Sequence, residues 1–224
     1  MAGAPQRRGE NGLNLKRLVT LVGLVVGTAA LLLQFYLSMG LRLGKGDSVL
    51  GALWFFFTFF TILTNGMLVL IYLSEVSAFR WLGWWRSLVT RAMMAGIMAM
   101  VTVFYHVMLA GLWQPTGLQL FADIVLHYVA PLFFIAWWLL FQPHGDLDWR
   151  DIPAMTVFPL LYLAWAMVRG AVVGEYPYPI LEANTLGYGQ VAINVIVMLV
   201  AFLALFAVAV GIDKLLGRRS VRPV

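Results

Sequence analysis

Apolar residues in this chain neither alternate nor keep to one helical face. They run in six long blocks: Leu18 to Gly40, Leu50 to Leu73, Ala92 to Trp113, Leu118 to Phe141, Pro153 to Val168 and Gln190 to Ile212. A helix rising about 1.5 Å per residue needs about 20 residues to cross a hydrocarbon core about 30 Å thick. Five blocks reach that length, and the one from Pro153 to Val168 falls slightly short. Continuous runs exclude the alternating strands of a membrane barrel. The pattern predicts an all-α polytopic membrane protein, with six transmembrane helices filling residues 18–213. A polar, disordered stretch (residues 1–17) precedes them and a basic tail (214–224) follows. The connections are too short to bury an extramembrane core, so no appended module is expected. Leu18 to Gly40 has a basic flank but is longer than a signal-peptide core. It also ends in Met39-Gly40-Leu41-Arg42, which is no small-x-small site, so it reads as a retained span.

Composition agrees with the pattern. The chain is 62% hydrophobic and 11% charged, with a mean hydropathy of +0.88, whereas a water-soluble domain carries about a quarter charged residues. Cysteine is absent, which removes disulfides, thiolate nucleophiles and cysteine-ligated metals.

The net charge of +5 acquires a meaning once the loops are assigned to alternating sides. Arg7, Arg8, Lys16, Arg17, Arg80, Arg86, Arg91, Arg150, Lys214, Arg218, Arg219 and Arg222 fall on one side. Only Arg42, Lys45 and Arg169 fall on the other. The positive-inside rule then puts both termini in the cytoplasm. Basic residues at membrane edges, without a recognisable binding fold, do not point to nucleic acid. Trp81, Trp84 and Trp85, flanked by Arg80 and Arg86, predict a cytoplasmic interfacial segment. Pro131 and Pro159 fall inside spans and predict bends; Pro131 frees the carbonyl of His127.

Ionisable and hydrogen-bonding groups inside a membrane are costly and usually face the protein interior. The set is short: Thr58, Thr61, Thr64 and Asn65 in the second span, Tyr105 and His106 in the third, Asp123 and His127 in the fourth, Asn194 in the sixth. Counting residues from the outer face puts Thr61 roughly 16 Å, His127 roughly 13 Å, His106 roughly 11 Å and Asp123 roughly 8 Å deep. Agreement across three helices predicts one shared polar site. Asp123 and His127, four apart, share one helix face, and the carboxylate orients the imidazole as a general base. Thr58, Thr61 and Asn65 form a stripe at helical spacing. If it faces His127, the Thr61 hydroxyl is the candidate nucleophile and Asn65 or Thr58 the candidate oxyanion donor. The competing reading is structural: membrane threonines bond the preceding turn, and asparagines bridge helices.

Three motifs carry a resemblance: Phe59-Phe60-Thr61-Ile62-Leu63-Thr64-Asn65, then Asp123 to His127 continuing His-Tyr-Val-Ala-Pro, then Tyr176-Pro177-Tyr178-Pro179-Ile180-Leu181. In that order, and over nearly the whole chain, the sequence resembles the bacterial branch of the androgen-induced protein / androgen-dependent TFPI-regulating protein family. The resemblance implies a membrane-embedded lipid ester hydrolase acting on fatty acid esters of hydroxy fatty acids. Thr61 and His127 would hold the positions of the animal members' intramembrane threonine and histidine. The chain departs from the animal pattern around the threonine, where it reads Phe-Thr-Ile-Leu-Thr-Asn, which keeps Thr58 and Thr64 open as nucleophiles. No metal or cofactor is required, and the expected partners are membrane lipid and a lipid-like substrate. The oligomeric state is not legible. The Tyr-Pro-Tyr-Pro element, with Glu175, Glu182 and Arg169 nearby, reads as a lid or a rigid connector.

Two other classes fit parts of the pattern. His106 and His127 at similar depth suit a bis-histidine haem b electron carrier. Asp123 and His127 also suit a proton relay or solute site in a transporter, although no internal repeat supports it.

Overall fold

The structure, a computed structural model, describes residues 4–220, with side chains from 13 to 218. Among these residues it is all-helical. The elements are α1 (Ala4–Gly44), α2 (Val49–Phe56), α3 (Phe60–Val76), α4 (Leu88–Phe104), α5 (Gly117–Ile124), α6 (Ala130–Phe141), α7 (Ile152–Val173) and α8 (Ala183–Ser220). Five helices are long and apolar enough to cross a membrane, or six when the bent pair α2 and α3 counts as one span. The expected disordered N-terminal stretch falls partly on residues outside those described; from Ala4 the backbone is helical. The last four residues of the basic tail also lie outside.

Helix α4 is the most enclosed span and packs against α3, α6, α7 and α8, while α1 lies across α2, α3, α5 and α6. Close approach needs small residues, as expected where helices pack without water between them. A Cβ on Gly96 would lie 2.7 Å from the Phe206 ring, and one on Gly23 2.6 Å from Tyr72. The outer surface carries Leu32, Val172, Ile196, Val197 and many similar side chains in the open. Such continuous apolar exposure is untenable in water and normal against lipid.

Two expectations need correction. The second span is not continuous: α2 and α3 meet at a bend of 77°. Neither Pro nor Gly lies at the break. Phe59 is extended (φ −81°, ψ 130°), and Thr58 turns its hydroxyl back onto the Trp54 carbonyl at 2.7 Å. Freed backbone groups in an apolar interior need partners, and two tyrosines supply them. Tyr162 donates to the Thr58 carbonyl at 2.9 Å, and the Phe60 N–H donates to the Tyr178 hydroxyl at 3.0 Å. The fifth span is also not short. Helix α7 has 22 residues and runs past Arg169 to a left-handed cap at Gly174 (φ 75°). It continues because Arg169, although buried, donates to the Glu175 carbonyl and pairs with the Glu175 carboxylate at 3.1 Å.

One end of the bundle, where the 77–87 and 142–148 segments lie, is tied by charge. Arg91 pairs with Glu75 and Gln142, and Lys16 joins Glu75 at 2.9 Å. The Trp-rich segment there forms a 3-10 turn (Arg80–Arg86), held by Arg86 donating to the carbonyls of Ser74, Ser77 and Phe79. At the opposite end, segment 174–182 roofs the space between α3, α4 and α8.

Candidate active site

The break before α3 puts Thr61 in the first turn of a helix, where backbone N–H groups have no carbonyl to bond and the helix dipole is positive. Among the described residues no carbonyl accepts the Thr61 N–H. Facing Thr61 is a second irregularity. Between α5 and α6 the backbone makes a π turn over Val125–Val129, in which the Ala130 N–H reaches the Val125 carbonyl. Pro131 follows in the first turn of α6, and the His127 carbonyl it frees accepts a hydrogen bond from the Thr102 hydroxyl at 3.0 Å. A matching π turn (Tyr105–Leu109) ends α4. Single π turns in membrane and soluble helices often mark places where side chains are re-aimed for function.

Three side chains converge there. His127 Nε2 lies 3.3 Å from Thr61 Oγ1. Its Nδ1 faces Asp123 twice, the backbone carbonyl at 2.9 Å and Oδ1 at 3.2 Å. With two acceptors on Nδ1, the proton belongs on that nitrogen, which leaves Nε2 to accept from the Thr61 hydroxyl. Tyr105 donates to the other carboxylate oxygen of Asp123 and lays its ring on the imidazole, 3.9 Å between centroids at 17°. The buried Asp123 therefore has each oxygen occupied, and the ring is held from its edge and its face.

The remaining candidates divide. Thr64 bonds the carbonyls of Phe60 and Thr61, at 2.9 and 3.2 Å, so of the three threonines only Thr61 reaches the histidine. Asn65 is no oxyanion donor: its amide nitrogen donates to the Thr61 carbonyl at 2.9 Å and the Leu126 carbonyl at 3.1 Å, bridging α3 to the π turn. Thr58 is likewise consumed by the Trp54 carbonyl. His106 is exposed on the outer surface, with Nδ1 3.0 Å from the Tyr128 hydroxyl. Since both nitrogens of His127 are engaged elsewhere, the two imidazoles are not presented to one haem iron. Asn194 lies outside the site and donates to the Ile180 carbonyl at 2.9 Å, fastening the roof to α8.

Sequence reading singled out the Tyr-Pro-Tyr-Pro element without placing Tyr178 in the site. This tyrosine accepts the Phe60 N–H and, with Thr61, lines both cavities at the site. Desolvation raises its phenol above the ordinary range, so it remains a neutral donor. The roof is fixed: Glu175 is held by Arg169 and by Arg42 at 3.2 Å, and a side chain on Gly170 would run into the Tyr176 ring.

Thr61, Tyr105, His127 and Tyr178 stand on the wall between two cavities. One, of about 100 Å³, is lined by apolar side chains of α4, α7 and α8. The other, of about 330 Å³, extends toward α1 and α5. Among the described residues no three His, Asp or Glu gather as a metal would need. No family model, curated protein or solved structure matches this chain.

Proposed function

We propose that the protein is an integral membrane lipid ester hydrolase with an intramembrane threonine nucleophile. In this reading it crosses the inner membrane six times with both termini cytoplasmic, and belongs with the androgen-induced protein family that its motifs resemble. The carrying observation is the chain of contacts Thr61 Oγ1, His127 Nε2, His127 Nδ1, Asp123, at the junction of two cavities. A hydroxyl is a weak nucleophile at its ordinary pKa and needs an adjacent base, itself oriented by a third group. All three parts are present, with donor–acceptor distances that suit an unliganded site.

As Thr61 Oγ1 attacks the acyl carbonyl, its proton passes to His127 Nε2, and the carbonyl π electrons move to oxygen. The Thr61 N–H, at the positive end of α3, and the Tyr178 hydroxyl are the donors nearest the resulting oxyanion. Collapse of the tetrahedral species breaks the ester C–O bond, and His127 returns the proton to the departing alkoxide. The acyl-threonine is then cleaved by water with His127 again as base, which restores the hydroxyl and releases a carboxylic acid. Asp123 holds the ring through His127 Nδ1.

The test is hydrolysis of lipid esters by the purified protein in nanodiscs, with labelling by a fluorophosphonate probe. Wild type should cleave and be labelled; Thr61→Ala should do neither and His127→Ala should lose turnover. Equal hydrolysis by both variants would falsify the assignment.

A further inference from the structure

We infer that the larger cavity carries the water of the reaction: the alcohol departs through it, and the water that cleaves the acyl-threonine arrives along a polar stripe made by Gln34, Ser38 and Gln119. The smaller cavity keeps the acyl chain. This rests on the hydrolase reading and deepens it.

A hydrolase inside a membrane consumes water in its second step at a site walled by hydrocarbon. An enclosed space holds water only where it offers two to four polar partners, and apolar cavities stay dry. The two cavities at Thr61 differ in this respect. Away from the shared wall, the smaller is bounded by side chains such as Met100, Leu163, Met198 and Phe202, and the hydroxyl of its Tyr162 is spent on the Thr58 carbonyl. The larger, of about 330 Å³, has room for several waters at about 30 Å³ each.

Its polar side is built at helical spacing. Gln119, Asp123 and His127 follow one another four residues apart and all line the cavity, as do Gln34 and Ser38, four apart on α1. Gln119 Nε2 donates to Gln34 Oε1 at 3.0 Å, and Gln34 Nε2 donates to Ser38 Oγ at 3.1 Å. One N–H remains on each amide, with the carbonyl oxygen of Gln119 and the hydroxyl proton of Ser38, so the stripe can both donate to water and accept from it. From Gln119 to His127 it covers about 12 Å. Beyond it the cavity is bounded by Leu112 and Trp113, both exposed, and by Pro177 of the roof, which puts its mouth at the end of the bundle where these connections lie.

His127 fixes the order of use. The imidazole that returns a proton to the departing alkoxide takes the next one from water, so the water stands where the alcohol oxygen stood. Once the alcohol has left, that position is continuous with the stripe. The water oxygen attacks the acyl carbon as its proton passes to Nε2. The tetrahedral species then breaks the bond from that carbon to Thr61 Oγ1, which takes the proton back.

The experiment uses the full-length protein in nanodiscs with 4-nitrophenyl oleate. Acylation is read as nitrophenolate release in a single turnover, and deacylation as loss of the oleoyl-Thr61 mass once substrate is exhausted. Gln34→Leu and Gln119→Leu, which keep bulk and remove hydrogen bonding, should slow deacylation about tenfold and acylation less than about twofold, so that oleoyl-Thr61 accumulates. Ser38→Ala, which deletes one oxygen and disturbs packing least, should slow deacylation about threefold. Leu163→Trp, which narrows the smaller cavity, should do the reverse and slow acylation alone. A bridge that merely joins α1 to α5 would slow both steps together. That pattern, or unchanged deacylation in Ser38→Ala and both glutamine variants, with Thr61 still labelled by the fluorophosphonate, overturns the inference and spares the hydrolase reading. A wild type that neither releases nitrophenolate nor takes the label removes that reading and this inference with it.

Discussion

The bundle holds two aspartate–histidine pairs, one toward each end, built from the same functional groups and put to different uses. Asp123 and His127 share a helix, and the nitrogen pointing away from the carboxylate faces a hydroxyl across a cavity wall. Asp213 of α8 meets His144 of the 142–148 segment at 3.2 Å, but the other nitrogen of His144 lies 3.3 Å from the Leu139 carbonyl. Asp213 is also taken up by backbone, accepting from the Gly145 and Leu147 N–H groups, each at 3.0 Å. Gly145 (φ 111°) crosses so close to Gly217 that a Cβ on the latter would collide with its backbone. The second pair thus fastens a loop to a helix. A buried Asp–His pair does not define a catalytic site; what separates the two is the group on the histidine's far nitrogen and the empty space beside it.

The sharpest way to break the comparison is to remove the two histidines separately. His127→Ala should cost about 10³-fold or more in ester turnover, as for removal of a base acting in a unit with its nucleophile. His144→Ala, with no hydroxyl to activate, should leave kcat within a few-fold. Equal losses, measured on the same lipid ester, would mean that the two pairs do the same work. Next in size is Asp123→Asn, which keeps shape but removes the charge that orients and stabilises the ring. Turnover should fall about 10³-fold, while Tyr105→Phe, which leaves the carboxylate in place, should cost about tenfold. If Asp123→Asn retains most activity, Asp123 serves α5 and not the chemistry.

Much of this was open to sequence reading, for reasons that can be named. The helical blocks are legible because an apolar solvent demands length. Asp123 and His127 are legible because a spacing of four stacks them on one face. Their meeting with Thr61 follows from depth arithmetic on separate helices. The spacing of Thr58, Thr61 and Asn65 draws one stripe on a continuous helix, but Thr58 and Asn65 bond backbone carbonyls instead. The break at Thr58 and Phe59 takes Thr58 off that stripe and exposes the Thr61 N–H, yet it contains no Gly or Pro and is stabilised by Tyr162 and Tyr178 from distant segments. Propensity carries no trace of such a device. The end of α7 was set too early because Arg169 looks like a membrane boundary, when its partner Glu175 lets the helix continue. Tyr178 offered one usable signal: a tyrosine fixed between two prolines, Pro177 and Pro179, is held in a chosen direction.

Tyr178→Phe tests that last point with a smaller expected effect. The variant keeps the ring and loses the hydroxyl that takes the Phe60 N–H and faces Thr61. Loss of one oxyanion donor usually costs 10² to 10³-fold in kcat; with the Thr61 N–H still present, about 10²-fold is expected, at nearly unchanged KM. A rise in KM alone would make Tyr178 a wall of the cavity and nothing more.

The smallest effect on rate, and the largest on stability, belongs to Asp213→Ala. It removes the acceptor from the N–H groups of Gly145 and Leu147 and from one nitrogen of His144, and the Leu147 N–H is buried. Each unsatisfied buried donor costs about 1–3 kcal/mol, so the variant should lose about 2 kcal/mol or more and unfold about 5 °C earlier in detergent. Ester turnover measured well below that temperature should stay near wild type, because nothing in this fastening touches the Thr61 wall. Thr61→Ala should do the reverse: it removes a single hydroxyl bordering two cavities, so activity should vanish with Tm nearly unmoved. The pair of measurements crosses over only if one end of the bundle is built for chemistry and the other for closure. A fall in both activity and Tm for Asp213→Ala at low temperature would show instead that the fastening sets the register of α8 against α4, and with it the shape of the smaller, apolar cavity.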